Sequence, residues 1–131
     1  MKKLMIYAVI WFILVSLTML LPGAKAEENK KIVDTEFVAV SSYLVLMTIF
    51  DVETTFSAIR NGAQEANPMM KPFAKNRAYM WGVQLGVDAL VIYLAYKMKG
   101  DETWRPAWWI APSFIGTSHA ICGGLNLRYV W

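Results

Sequence analysis

Hydrophobic positions along this chain fall in four blocks instead of at the spacing of one-sided helices. Residues 4–21, 37–50, 78–96 and 107–125 are apolar on nearly every face, and polar residues gather in the short segments between them. A helix of a soluble domain keeps a polar stripe toward water, and these blocks keep none. Backbone groups in lipid must be satisfied within the segment, and barrel strands would be shorter and alternate. Helices over 37–59, 78–96 and 107–127 are therefore predicted, each close to the roughly 20 residues that cross a hydrocarbon core. The expected fold is an all-α, polytopic membrane helix bundle of three transmembrane helices, preceded by an N-terminal signal peptide or fourth helix.

The first block has the order of an export signal. Lys2 and Lys3 precede an apolar run from Leu4 to Leu21, which breaks at Pro22-Gly23 before the small-x-small site Ala24-Lys25-Ala26. Its 18 residues are also long enough to stay as an anchor. The expected organisation is a signal peptide or signal anchor over 1–26, a short extracytoplasmic segment over 27–36 and a three-helix transmembrane domain over 37–131.

Composition agrees with the pattern, since 56% of the 131 residues are hydrophobic and only 18% charged. The net charge of +3 does not point to nucleic acid, because the Lys and Arg residues flank the apolar blocks, where a lipid bilayer is the partner. Positive charge is balanced between the two sides and does not set the topology. The export signal does, placing the 60–77 loop and the C-terminus in the cytoplasm of a multi-pass protein of a bacterial inner membrane. Trp104, Trp108 and Trp109, Tyr79 and Trp81, and Tyr129 and Trp131 are expected to anchor the spans at headgroup level. Pro112 lies near the start of the third span, where a missing donor costs little. The single cysteine, Cys122, excludes an intrachain disulfide and is expected to be a small buried packing residue.

Each of the three predicted spans carries an ionisable residue out of place in lipid: Asp51, Asp88 and His119. Counted from the loop-side ends they lie roughly 12, 15 and 13 Å in, at 1.5 Å per residue. Charges in hydrocarbon persist when they face one another, a cavity or an ion. Each also has polar or small companions at helical spacing. Thr48, Thr54 and Thr55 accompany Asp51; Gln84 accompanies Asp88, with Gly82 and Gly86 adjacent; Gly116, Cys122 and Asn126 accompany His119. A polar intramembrane seam of Asp51, Thr55, Gln84, Asp88 and His119 follows. Gly82-x-x-x-Gly86 matches the close-packing pattern of membrane helices. Glu53 points away from the seam and is read as an interfacial charge reaching toward Ser57 and Arg60.

Several chemistries are open to such a seam. Asp51, Asp88 and His119 are candidate metal ligands, but they come from three helices without a ligand-spacing motif, and no cofactor is named by the sequence. A proton site uses the same residues. A structural role would pair Asp88 with His119 or Gln84 and Asp51 with the threonines, or turn the seam toward a membrane protein partner or a second copy of the chain. Membrane-embedded hydrolysis lacks a nucleophile motif, since Ser118 points about 100° from His119.

Between the first two spans, Asn61-Gly62 and Asn67-Pro68 are turn formers, and Glu65 and Asn67 are placed to cap a short helix from Pro68. With Asp51, Thr54 or Thr55, Gly62, Glu65, Asn67, Pro68, Met70 and the later Asn126-Leu127, the chain resembles a family of small prokaryotic integral-membrane proteins of unknown function. The resemblance covers roughly residues 37–127. It implies a three- or four-helix membrane fold and no established activity. That pattern has a Lys in the second span where this chain has Gln84 and Asp88. The resemblance also implies that Asp51, Glu65, Asn67 and Asn126 act together in a site open to the cytoplasm. The expected function is a non-catalytic subunit or packing partner of a larger membrane assembly, with an intramembrane metal or proton site as the alternative and a metal-dependent hydrolase behind it.

Overall fold

A computed structural model describes residues 31–130. The segment 1–26, expected to be an export signal or anchor, residues 27–30 and Trp131 lie outside the described residues. Helix α1 runs Thr35–Arg60, α2 Arg77–Gly100 and α3 Ile110–Asn126, and among the described residues there is no strand. Single 3-10 turns at Arg105–Ala107 and Leu127–Tyr129 flank α3.

The helix starts are set by side-chain caps. Asp34 Oδ1 accepts from Phe37 N at 2.9 Å, so α1 begins two residues before the apolar run suggests. Asn76 Oδ1 accepts from Ala78 N and Tyr79 N and starts α2. At its other end α1 stops at Asn61-Gly62, with Gly62 at φ 92°, a left-handed conformation that favours glycine.

Two of the helices, α1 with 26 residues and α2 with 24, are long and apolar enough to cross a membrane. At 1.5 Å per residue they span roughly 39 and 36 Å, more than the roughly 30 Å hydrocarbon core. Only 28% and 22% of their most apolar windows are buried inside the bundle. The core helix of a soluble protein would be mostly buried, so this apolar surface suits lipid better than water. Leu46, Leu90, Phe114 and Ile121 all point outward.

The core divides into two clusters. Phe37, Ala95 and Trp108 close the end away from the 60–77 loop, with Val40, Ile92 and Met98 against them. Val52, Met70 and Met80 form the other, where Phe56 and Phe73 bring the loop onto α1 and α2. Trp108 is buried at this end of the bundle and packs on Phe37 with ring centroids 5.5 Å apart. It was the partner ring for an inward-facing Phe, which block hydrophobicity alone does not show.

The closest helix pair is α1 and α3, and two glycines make the approach possible. A Cβ at Gly116 would lie 2.8 Å from the Tyr43 ring and 3.3 Å from Leu44 Cα. A Cβ at Gly123 would lie 2.5 Å from the Phe50 ring and 3.3 Å from Asp51 Cα. Both pairs are seven residues apart, so one face of α3 meets one face of α1 over two turns. The Gly82-x-x-x-Gly86 pattern does not pack this way: nothing among the described residues lies within 4 Å of a Cβ at either position.

Candidate functional site

Because Gly123 lets α3 sit against the α1 backbone at Asp51, the polar side chains one turn to either side of it come within reach of that carboxylate. His119 Nδ1 lies 2.7 Å from Asp51 Oδ2. Asn126 Nδ2 donates to Thr55 Oγ1 at 2.8 Å and more weakly to Asp51 Oδ1 at 3.4 Å. Thr55 Oγ1 donates to Asp51 Oδ1 at 3.5 Å. Where the carboxylate is ionised it can only accept, and Nδ1 is then the ring nitrogen that carries the hydrogen. Thr54 is spent on its own helix, donating to the Phe50 and Asp51 carbonyls at 2.8 and 3.1 Å.

This group forms one wall of a cavity of about 480 Å³. Asp51, Thr55, Gln84, His119 and Asn126 line it from the helices, and Glu65 and Asn67 line it from the 60–77 loop. The loop holds its shape by local capping. Glu65 Oε1 accepts from Asn67 N at 2.8 Å, and Asn67 Oδ1 accepts from Met69 N at 3.0 Å. From Pro68 the chain makes successive hydrogen-bonded turns instead of a regular helix. Asn61 Nδ2 donates to the Tyr129 carbonyl at 2.8 Å and ties the loop to the C-terminal turn. Glu65 and Asn67 thus face the same space as Asn126, whose own hydrogen bonds go to Asp51 and Thr55.

Asp88 stands apart from this cluster. It is 1% exposed, neither carboxylate oxygen has a hydrogen-bond partner among the described residues, and it does not line the cavity. The imidazole is bonded to Asp51, so the pairing of Asp88 with His119 is corrected. The reason is the α1–α3 glycine contact, which brings the His119 ring to the Asp51 carboxylate on α1. Pro68 likewise lies outside the cavity lining and serves the turn.

Two other expectations are corrected. Glu53 does not reach along its own helix but crosses to α2, accepting from Arg77 at 2.6 and 2.5 Å and from Trp81 Nε1 at 3.2 Å. Trp81 is therefore tied to an ion pair as well as placed near a helix end. Cys122 is exposed and lines the cavity, because the buried neighbour on that face is Gly123. Gly123 is the site-forming residue that the sequence reading passed over. Its signal was present, seven residues after Gly116 and on the face that carries His119 and Asn126.

Among the described residues no three His, Cys, Asp or Glu side chains converge as metal ligands. What the geometry offers is a hydrogen-bonded carboxylate and imidazole on the wall of a cavity, inside an all-helical protein with two helices fit to cross a membrane. That defines a small helical membrane-type protein with a polar buried site. The chain belongs to the DUF5658 family, described as a domain of unknown function, whose model matches residues 42–131. No curated protein and no solved structure matches the chain.

Proposed function

We propose that this chain is a multi-pass inner-membrane protein whose Asp51–His119 pair binds and releases a proton on the cytoplasmic side. The 2.7 Å contact between them on the cavity wall carries this reading. With Nδ1–H held by Asp51, Nε2 is the ring nitrogen left to take up a proton, and the resulting imidazolium is balanced by the carboxylate beside it. Neither partner then crosses the apolar interior as an isolated charge. A proton suits the site better than a metal, because Asp51 occupies one imidazole nitrogen and no third ligand converges among the described residues. Hydrolysis is less well supported, since the Ser118 hydroxyl donates to the Phe114 carbonyl at 2.9 Å.

The membrane placement belongs to the same proposal. In it α3, with 17 residues, completes a third span with the help of its flanking 3-10 turns, which add length at about 2 Å per residue. The segment 1–26 directs export as a signal or remains as an anchor, and the 60–77 loop and C-terminus face the cytoplasm.

The chain has one histidine, so nitrogen NMR of histidine-labelled protein in lipid nanodiscs reads this site alone. The expected result is an imidazole that titrates reversibly and shows a strongly hydrogen-bonded Nδ1–H, lost in Asp51→Asn. An imidazole that keeps one protonation state over the whole pH range of the folded protein overturns the reading.

A second reading, a non-catalytic subunit of a larger membrane assembly or homo-oligomer, is favoured by the open Gly82 and Gly86 on α2. It is compatible with the first. Native copurification tests it, and a chain that runs alone as a stable monomer removes it.

A further inference from the structure

Asp88 is the buried ionisable group that the Asp51–His119 pair leaves unexplained. From α1 it is met by Thr48, which is 0% exposed and whose Oγ1 also lacks a hydrogen-bond partner among the described residues. The titratable group near enough to act on it is His119 from α3, and Asp51 lies one turn along α1 from Thr48. Of the basic side chains at the two ends of α2, Arg77 is committed to Glu53 and Lys99 to Asp34, and Lys97 is exposed. An ionised carboxylate buried without a cation, and with one hydroxyl as its nearest donor, loses its hydration and regains little of it, at a cost of several kcal/mol. A neutral carboxyl in the same place needs only the Thr48 hydroxyl.

Access is one-sided. Gln84, one turn nearer the loop, lines the cavity, whereas Asp88 does not. Beyond Asp88, Val91 and the Phe37–Ala95–Trp108 cluster close the other side. Thr48 and Asp51 are three residues apart, about 4.5 Å along the helix, so the Asp88–Thr48 pocket adjoins the Asp51–His119 pair.

We infer that Asp88 is a second proton-binding site, a carboxylic acid sealed at the deep end of the polar seam that exchanges its proton through the Asp51–His119 pair. The proton leaves the Asp88 carboxyl for the imidazole, giving a carboxylate and an imidazolium. The imidazolium then releases one proton to water in the cavity and returns to neutral. The exchange route rests on the reading of Asp51–His119 as a proton site, whereas the protonation of Asp88 can be measured by itself.

The test is infrared spectroscopy of the full chain in lipid nanodiscs at neutral pH. The expected result is a protonated-carboxyl C=O band that is lost in Asp88→Asn, kept in Asp51→Asn, and slower to exchange with D₂O in His119→Gln. No such band, or one that survives Asp88→Asn, overturns the site. Loss of the band on adding sodium chloride at fixed pH also overturns it, in favour of a monovalent cation. Should Asp88→Asn not fold, Thr48→Val must move the band to higher frequency by removing its hydrogen-bond partner, and an unmoved band overturns the assignment. Deuterium exchange unchanged in His119→Gln overturns the route. A histidine that does not titrate beside an Asp88-specific band overturns the function proposed for the pair and leaves the Asp88 site standing.

Discussion

At the end of the bundle away from the 60–77 loop, Lys99 is buried between Asp34, 2.5 Å from its ammonium, and the Trp108 ring, 4.3 Å away, with Phe37 and Ala95 packed around it. At the loop end, Asp51 and His119 make an equally close pair, but beside a cavity of about 480 Å³. Both ends solve the cost of burying charge by pairing it. They differ in what surrounds the pair. Aromatic rings pack on one side of Lys99 and the partly exposed Asp34 on the other, so its charge braces three chain segments without a cavity beside it. Glycines bring α3 to Asp51 and leave room beside it, so that pair can meet water or solute. Packing, more than residue type, separates a structural ion pair from a candidate functional one.

The comparison breaks most strongly at Gly123. In Gly123→Leu the new side chain meets the Phe50 ring and the Asp51 backbone, and overpacking of this kind costs about 3 kcal/mol. Thermal unfolding in detergent should show the loss, together with disappearance of the hydrogen-bonded imidazole signal. Asp51→Ala comes next, because it strands His119 Nδ1 and weakens the hold on Asn126. About 2 kcal/mol is expected for donors left unsatisfied, read from the same unfolding curves. Lys99→Met removes the cation from Trp108 but keeps an apolar stem in place, so about 1 kcal/mol should be lost, with a change in Trp emission.

A pH test sharpens the contrast. The Lys99 ammonium beside Asp34 holds its carboxyl below the usual range, helped by the Phe37 amide. A carboxyl lowered on folding contributes stability that is present above its unfolded value of about 3.9 and is lost as pH falls through the lowered folded value. Acidification through that window should therefore loosen the Lys99 end, and Asp34→Asn should flatten the dependence in unfolding curves recorded across it. The smallest effect is expected at Gly82→Leu. With nothing near it, the isolated chain should change by no more than about 0.5 kcal/mol, while any partner that packs there would be displaced in native gels.

Much of the architecture could be read from the residues. The apolar blocks at 37–50 and 78–96 lie within α1 and α2, and Asn61-Gly62 ends α1 where its turn chemistry suggested. Of the site, Asp51, Thr55, His119, Asn126, Gln84, Glu65 and Asn67 all reached the cavity. The partners were harder to read. Glu53 was assigned to its own helix because helical spacing describes only one helix, whereas Arg77 and Trp81 come from another. Gly82 and Gly86 have the spacing of a packing motif and face open space, while Gly116 and Gly123 do the packing.

Sequence alone determined that the chain would be helical, where α1 and α2 would lie, and that polar side chains would recur on one stripe of each helix, because these follow from local hydrophobicity and period. Only the tertiary structure decided that His119 would meet Asp51 and leave Asp88 unpartnered. That choice depends on how α3 is rotated and how closely it approaches α1. Shape at two glycines sets both, and a shape fit between helices is a property of the pair that neither segment carries alone.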